Sequence, residues 1–157
     1  SRNAIEIRVM DVQECPRADV ALAALIIETI RALYEGRFVP LPEQQQVSTK
    51  ALAQVFLACV RDAERAVIED PRYLRLFGMR QSVCDAGALW SHVAHRIEAS
   101  GAQWNHLWAP MLELVCVRGT LARRLIRAAG REPSRSALRA VYEALCRALA
   151  AGELFEP

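Results

Sequence analysis

Lysine is almost missing from this chain: of its 20 basic residues only Lys50 is a lysine, and the rest are arginine. A GC-rich coding bias accounts for that skew as well as any demand for guanidinium chemistry does, so no function is drawn from it. An excess of one charge is missing too. Twenty basic against 18 acidic residues leave a net charge of +2, which sets up no strong field to gather nucleic acid or an anionic membrane. Long apolar runs are absent: the longest, Val20 to Ile27, falls far short of the ~18 residues a membrane span needs. Seven glycines and seven prolines in 157 residues exclude a low-complexity or collagen-like chain. Cysteine is present but unpatterned. Cys15, Cys59, Cys84, Cys116 and Cys146 form an odd set with no Cys-x-x-Cys pair, so neither a disulfide framework nor a zinc ribbon is indicated, and reduced thiols in a cytoplasm are expected. No bound zinc is expected either. The chain opens Ser1-Arg2-Asn3-Ala4-Ile5 without an initiator methionine. A fragment of a longer protein is therefore expected, and the lack of a targeting segment says little.

What remains is a chain that is 53% hydrophobic and 24% charged, the balance of a globular domain able to bury a core. Residues 4 to 12 alternate Ile5, Ile7 and Val9 with Glu6 and Arg8, the period of a half-buried strand. A lone strand leaves its backbone groups unpaired, so it is expected to pair with another chain or with another part of its own protein.

Everything after Pro16 has helical spacing. A first helix is expected over about residues 17–34, with Leu22, Leu25, Ile26, Ile30 and Leu33 on one stripe and Gly36 as its stop. Phe38 to Gln46 is expected to be a linker because of Pro40 and Pro42. Ser48 offers an N-cap to a second helix, whose stripe of Leu52, Val55, Phe56, Cys59, Val60, Ala63 and Val67 runs until Asp70-Pro71 ends it. A short turn of helix is expected at 71–77. A third helix follows over 85–101 with Leu89, Val93 and Ile97 inward, then a fourth over 104–129. Ser134 caps a fifth, with Leu138, Val141, Tyr142, Leu145 and Leu149 on its stripe and Gly152 as its stop. The fold class expected is mainly α, an antiparallel bundle of about five helices preceded by one β-strand. The expected division is a terminal strand over residues 1–15 and a C-terminal helical domain over 16–157.

Several constellations favour packing over chemistry. His92 and His95 share a helix face, with His106 and Cys84 near in sequence, but no His-Glu-x-x-His pattern supports a metal site. Trp90, Trp104 and Trp108 crowd the middle of the chain and are best taken as core or as a protein interface. Arg118, Arg123, Arg124, Arg127, Arg131, Arg135 and Arg139 make the last third the most basic. A solvated or acid-paired face explains them better than nucleic acid does, and the like-charged pair Arg123/Arg127 calls for an anionic neighbour. Cys59 and Cys146 sit on apolar stripes and act as small hydrophobes.

The strand is different. Glu6 and Arg8 leave the same face of a strand about 7 Å apart, and a carboxylate beside a guanidinium suits a cleft that holds magnesium and phosphate together. A simple ion pair on a wet sheet face is the alternative.

Ile5-Glu6-Ile7-Arg8-Val9-Met10-Asp11 resembles the Ile-Glu-x-Arg-x-x-Asp strand of the glutamate-cysteine ligase and carboxylate-amine ligase superfamily. The segment Asp11 to Asp19, and later Trp108-Ala-Pro-Met-Leu-Glu and Gly119 to Gly130, also resemble bacterial members, in the same order. The resemblance implies a glutamine-synthetase-like sheet, to which the strand would belong, forming a cleft for ATP, Mg²⁺ and an amino-acid substrate. It implies an ATP-dependent ligase that activates a carboxylate as an acyl phosphate, typically the γ-carboxylate of glutamate, for attack by an amine such as cysteine, as in glutathione biosynthesis. Glu6 would then be a metal ligand and Arg8 a catalytic, phosphate-facing group that also binds the nucleotide. Only the C-terminal part of such an enzyme is covered, so the chain alone is expected to be inactive. The partners expected are those two substrates, with no nucleic acid and no membrane, and a homo-oligomer formed through the N-terminal strand. The rival reading is a non-catalytic helical protein–protein interaction domain.

Overall fold

Pro16, set in the first turn of a helix where its missing N–H costs nothing, opens the longest element of the protein. The computed structural model describes residues 4–7, 9–101 and 105–157. In it α1 runs over Pro16–Tyr34, and Gly36, at φ +67°, turns the chain out of it as the backbone N–H of Arg37 closes on the Ala32 carbonyl at 2.8 Å. The elements that follow are α2 (Leu41–Gln44), α3 (Thr49–Asp62), a 3₁₀ turn (Ala63–Arg65), β1 (Val67–Ile68), α4 (Pro71–Leu76), β2 (Cys84–Asp85), α5 (Ala86–Ala99), α6 (Asn105–Arg118), α7 (Leu121–Ala129) and α8 (Arg135–Ala151). The fold is mainly α, with one small antiparallel sheet in which Val67 faces Asp85 and Ile68 faces Cys84.

The core lies where α1 packs against α6 and α5. Leu25 of α1, Leu89, Val93 and Ile97 of α5, and Trp108 and Met111 of α6 are buried together, joined by Ile68 and Leu74. The α5 stripe thus faces inward as its spacing predicts. Ser48, Asp85 and Ser134 each accept a backbone N–H two or three residues inside the helix they cap, and Gly152 ends α8 in the left-handed conformation.

Four expectations are corrected. Residues 4–7 and 9–13 carry no regular secondary structure, and Ile5 and Val9 are 74% and 65% exposed. Alternation gives a segment two dissimilar faces, but a strand also needs a ladder partner, and no segment pairs with this one among the described residues. The expected linker contains α2, because Pro42 stands in its first turn, where proline is tolerated.

The second helix stops at Asp62, eight residues early. Ala63 takes φ +52°, and the chain then extends to pair with Cys84–Asp85. Asp70-Pro71 starts a helix instead of ending one: the Asp70 carboxylate accepts from Arg72 N at 2.8 Å and Tyr73 N at 3.2 Å. Half of the second helix's apolar stripe is consequently uncovered. Val55 and Cys59 pack on the core, but Phe56 and Val60 are 45% and 63% exposed. The expected fourth helix is two, α6 and α7, divided at Gly119, whose φ of +88° no L side chain adopts without strain.

Candidate functional site

Glu6 lies in the exposed segment Ala4–Ile7, its carboxylate on the outside of the helical body. Arg8 lies outside the described residues. Beyond Asp11, whose carbonyl accepts from the Gln13 side-chain amide at 2.8 Å, the segment becomes attached to the helices. Gln13 donates its backbone N–H to the Asp19 carboxylate at 3.0 Å, and Cys15, buried, receives the first backbone bonds of α1 from Ala18 and Asp19.

The strongest attachment is Glu14, a residue that charge and local pattern would leave in solvent. It is 2% exposed. Its Oε1 accepts from Arg124 Nη1 at 2.8 Å and from the Phe155 backbone N–H at 3.3 Å. Arg124 is fully buried; its Nε donates to the Gly119 carbonyl at 3.1 Å, and its Nη1 also donates to the Phe155 carbonyl. One guanidinium on α7 therefore joins the N-terminal segment, the α6–α7 break and the C-terminal tail. A buried ion pair of this kind adds little over a well-packed apolar pair, but removing one partner strands the other charge and costs about 3–5 kcal/mol. The Glu6 motif is thus tied to the helical body eight residues downstream.

The other sequence candidates are dispersed. His92 Nε2 lies 2.9 Å from the Phe77 carbonyl and His95 Nδ1 lies 2.7 Å from the Ser91 carbonyl, so each ring is committed to its own backbone oxygen. Among the described residues no three or more His, Cys, Asp or Glu are grouped to hold a metal ion. Trp108 is in the core, Trp90 is partly exposed on α5, and Trp104 lies outside the described residues. All five cysteines are free thiols. Burial pushes the Cys59 and Cys84 thiols up, with the Asp85 charge adding to the second, which disfavours the nucleophilic thiolate.

The anionic neighbour that Arg123 calls for is Glu64, whose Oε1 accepts from Arg123 Nε. Arg127 finds no such neighbour among the described residues. Sequence reasoning missed Glu14 and Glu64. Their partners are 110 and 59 residues away, and no local period marks a pairing at that range.

The family model for glutamate-cysteine ligase family 2 matches residues 1–144, from the N-terminal segment into α8. A search of the curated proteins finds no match. Neither does a search of the solved structures.

Proposed function

Because the chain belongs to glutamate-cysteine ligase family 2, we propose that it is the C-terminal portion of an ATP-dependent carboxylate-amine ligase. It would carry the Glu6 motif and the helical region behind it. The reaction class is the condensation of a carboxylate with an amine: ATP phosphorylates the carboxylate, the amine nitrogen attacks the acyl carbon, and phosphate leaves, giving amide, ADP and phosphate. A glutamate-like acid and an amine such as cysteine are the substrates this reading assigns, in a cytoplasmic enzyme of glutathione biosynthesis. The observation that carries it is the extent of the family match, which takes in both the Glu6 motif and the helices tied to that motif by Glu14 and Arg124.

The described residues do not make a complete site for ATP and Mg²⁺. Glu6 offers one exposed carboxylate, Arg8 lies outside them, and no metal-holding group is gathered among them. The roles proposed are accordingly partial. Glu6 supplies one hard oxygen, Arg8 supplies a planar cation for a phosphate, and the other ligands come from elsewhere in the protein, so the chain by itself is inactive.

The test is ADP release by the complete protein. It should require a carboxylate and an amine together, and the 157-residue chain alone should give none. ATP turnover that ignores both substrates would overturn the ligase reading.

A second reading, a helical interaction domain, is favoured by one observation: Leu138, Tyr142 and Leu149 of α8 stay exposed along one stripe. Concentration-dependent association of the chain that is lost on replacing Tyr142 and Leu149 by serine would support it.

A further inference from the structure

Between the 3₁₀ turn, the start of α5, the end of α6 and α7 lies a cavity of about 410 Å³, within the size range of small-molecule sites. It belongs to the helical body and uses neither Glu6 nor Arg8. Its charge is one-sided. Arg65, Arg118 and Arg127 line it together with Glu64 and Asp85, and Arg123 is bonded to Glu64, so four guanidiniums face two carboxylates. That excess of two positive charges equals the net charge of the whole chain.

Both carboxylates are already engaged. Glu64 Oε1 accepts from Arg123 Nε and lies 3.7 Å from Arg65 Nε, and its Oε2 is closed to solvent. Asp85 Oδ1 caps α5, accepting from Ala88 N at 2.7 Å. The arginines left over are Arg118, at the end of α6, and Arg127, on α7. Both are exposed, and neither has an ion-pair or hydrogen-bond partner among the described residues. Gly119, at φ +88°, turns the chain between the two helices, so that residues 118 and 127 line one cavity from different elements.

The remaining polar lining is neutral. Ser91 Oγ donates to the Gly87 carbonyl at 2.9 Å and lies 3.0 Å from Cys116 Sγ. Cys116 is an exposed free thiol, which makes it a reporter of whatever fills the cavity.

These charges select among ligands. A cation meets an excess of like charge. An ammonium group finds no free carboxylate. A single carboxylate satisfies one guanidinium, whereas a tetrahedral oxyanion with two negative charges accepts from two at once. We infer that this cavity binds a small tetrahedral oxyanion, phosphate or sulfate in class, between Arg118 and Arg127. The inference does not rest on the ligase reading.

The test follows alkylation of the 157-residue chain by neutral iodoacetamide, read by mass spectrometry at Cys116 and at Cys146, an exposed thiol on α8 outside the cavity. Sodium chloride holds the ionic strength constant. Inorganic phosphate or sulfate at about four times its dissociation constant should slow Cys116 about fivefold and leave Cys146 unchanged; the anion effective at the lower concentration is the occupant. Protection should be lost in Arg118→Gln/Arg127→Gln, whose exposed positions leave the melting temperature unchanged. It should be kept in Arg131→Gln/Arg135→Gln, which removes the same charge outside the cavity. No saturable protection, equal slowing of Cys146, or protection that survives the first double variant would overturn the inference. So would equal loss in the second, which would make the effect one of general charge.

Discussion

The two ends of the helical body are held in different ways. Around α1, α5 and α6, side chains such as Leu25, Ile97 and Trp108 are almost wholly buried. In α8, a helix of 17 residues, none is. What holds that end is the polar junction at which Arg124 grips Glu14 and the Phe155 backbone. Apolar burial is a distributed effect that survives small losses, whereas a buried ion pair fails when one member goes. The core end should therefore degrade gradually on substitution and the junction abruptly.

The largest effects should come from single replacements at the two kinds of anchor. Trp108→Ala empties a buried site and should cost about 3–5 kcal/mol, while Tyr142→Ala, exposed on α8, should stay within about 0.5 kcal/mol; denaturant titration compares them. Arg124→Met leaves the Glu14 carboxylate buried without its cationic partner, with only the Phe155 N–H to donate to it. A loss of about 3–5 kcal/mol is expected, or on the order of 10 °C in melting temperature, and adding Glu14→Gln should restore part of it. If Arg124→Met proves nearly neutral, the junction is not an anchor.

Caps give a gentler comparison. Asp70→Ala removes the cap of α4, whose Leu74 is buried, and should cost about 1 kcal/mol of global stability. Ser134→Ala removes the cap of α8 and should act locally, seen as faster amide exchange in α8 with little change in the global transition. Equal global losses would mean that α8 is as cooperative a part of the fold as the core helices.

The smallest effect is that of pH on the half-buried thiols. Burial raises Cys59 and Cys84 in the folded state above the ordinary thiol value. Their contribution is thus complete below that value and is lost as pH rises through the higher folded value. A slight fall in stability above about pH 9 is expected, one that Cys59→Ser/Cys84→Ser removes. Alkylation should reach the exposed Cys116 and Cys146 first.

The helices were legible wherever a local signal sufficed. Ser48, Asp85 and Ser134 marked starts, Gly36 and Gly152 marked stops, and Leu89, Val93 and Ile97 marked an inward face. Signals with two meanings failed: Asp70-Pro71 ends one helix as readily as it caps the next, and Gly119 is tolerated within a helix but here turns the chain between α6 and α7 at φ +88°. The stripe on α3 was visible, but its coverage depends on how many neighbours the helix has, which periodicity does not encode. Of the candidate site, the Ile5–Asp11 motif was legible because its chemistry is local. Glu14–Arg124 and the cavity beside Glu64 were not, because they exist only once distant segments meet.

The claim that matters most is that the exposed Glu6 motif serves ligation, in contrast to the structural acid Glu14 eight residues on. The direct measurement is ATP-dependent amide formation by the complete protein carrying Glu6→Gln, with Arg8→Lys alongside and melting temperatures recorded for both. The account predicts turnover reduced on the order of 10²-fold or more in Glu6→Gln at an unchanged melting temperature, and impaired in Arg8→Lys because the planar fork is lost. Near-normal turnover in both variants would contradict it and leave the motif a structural ion pair.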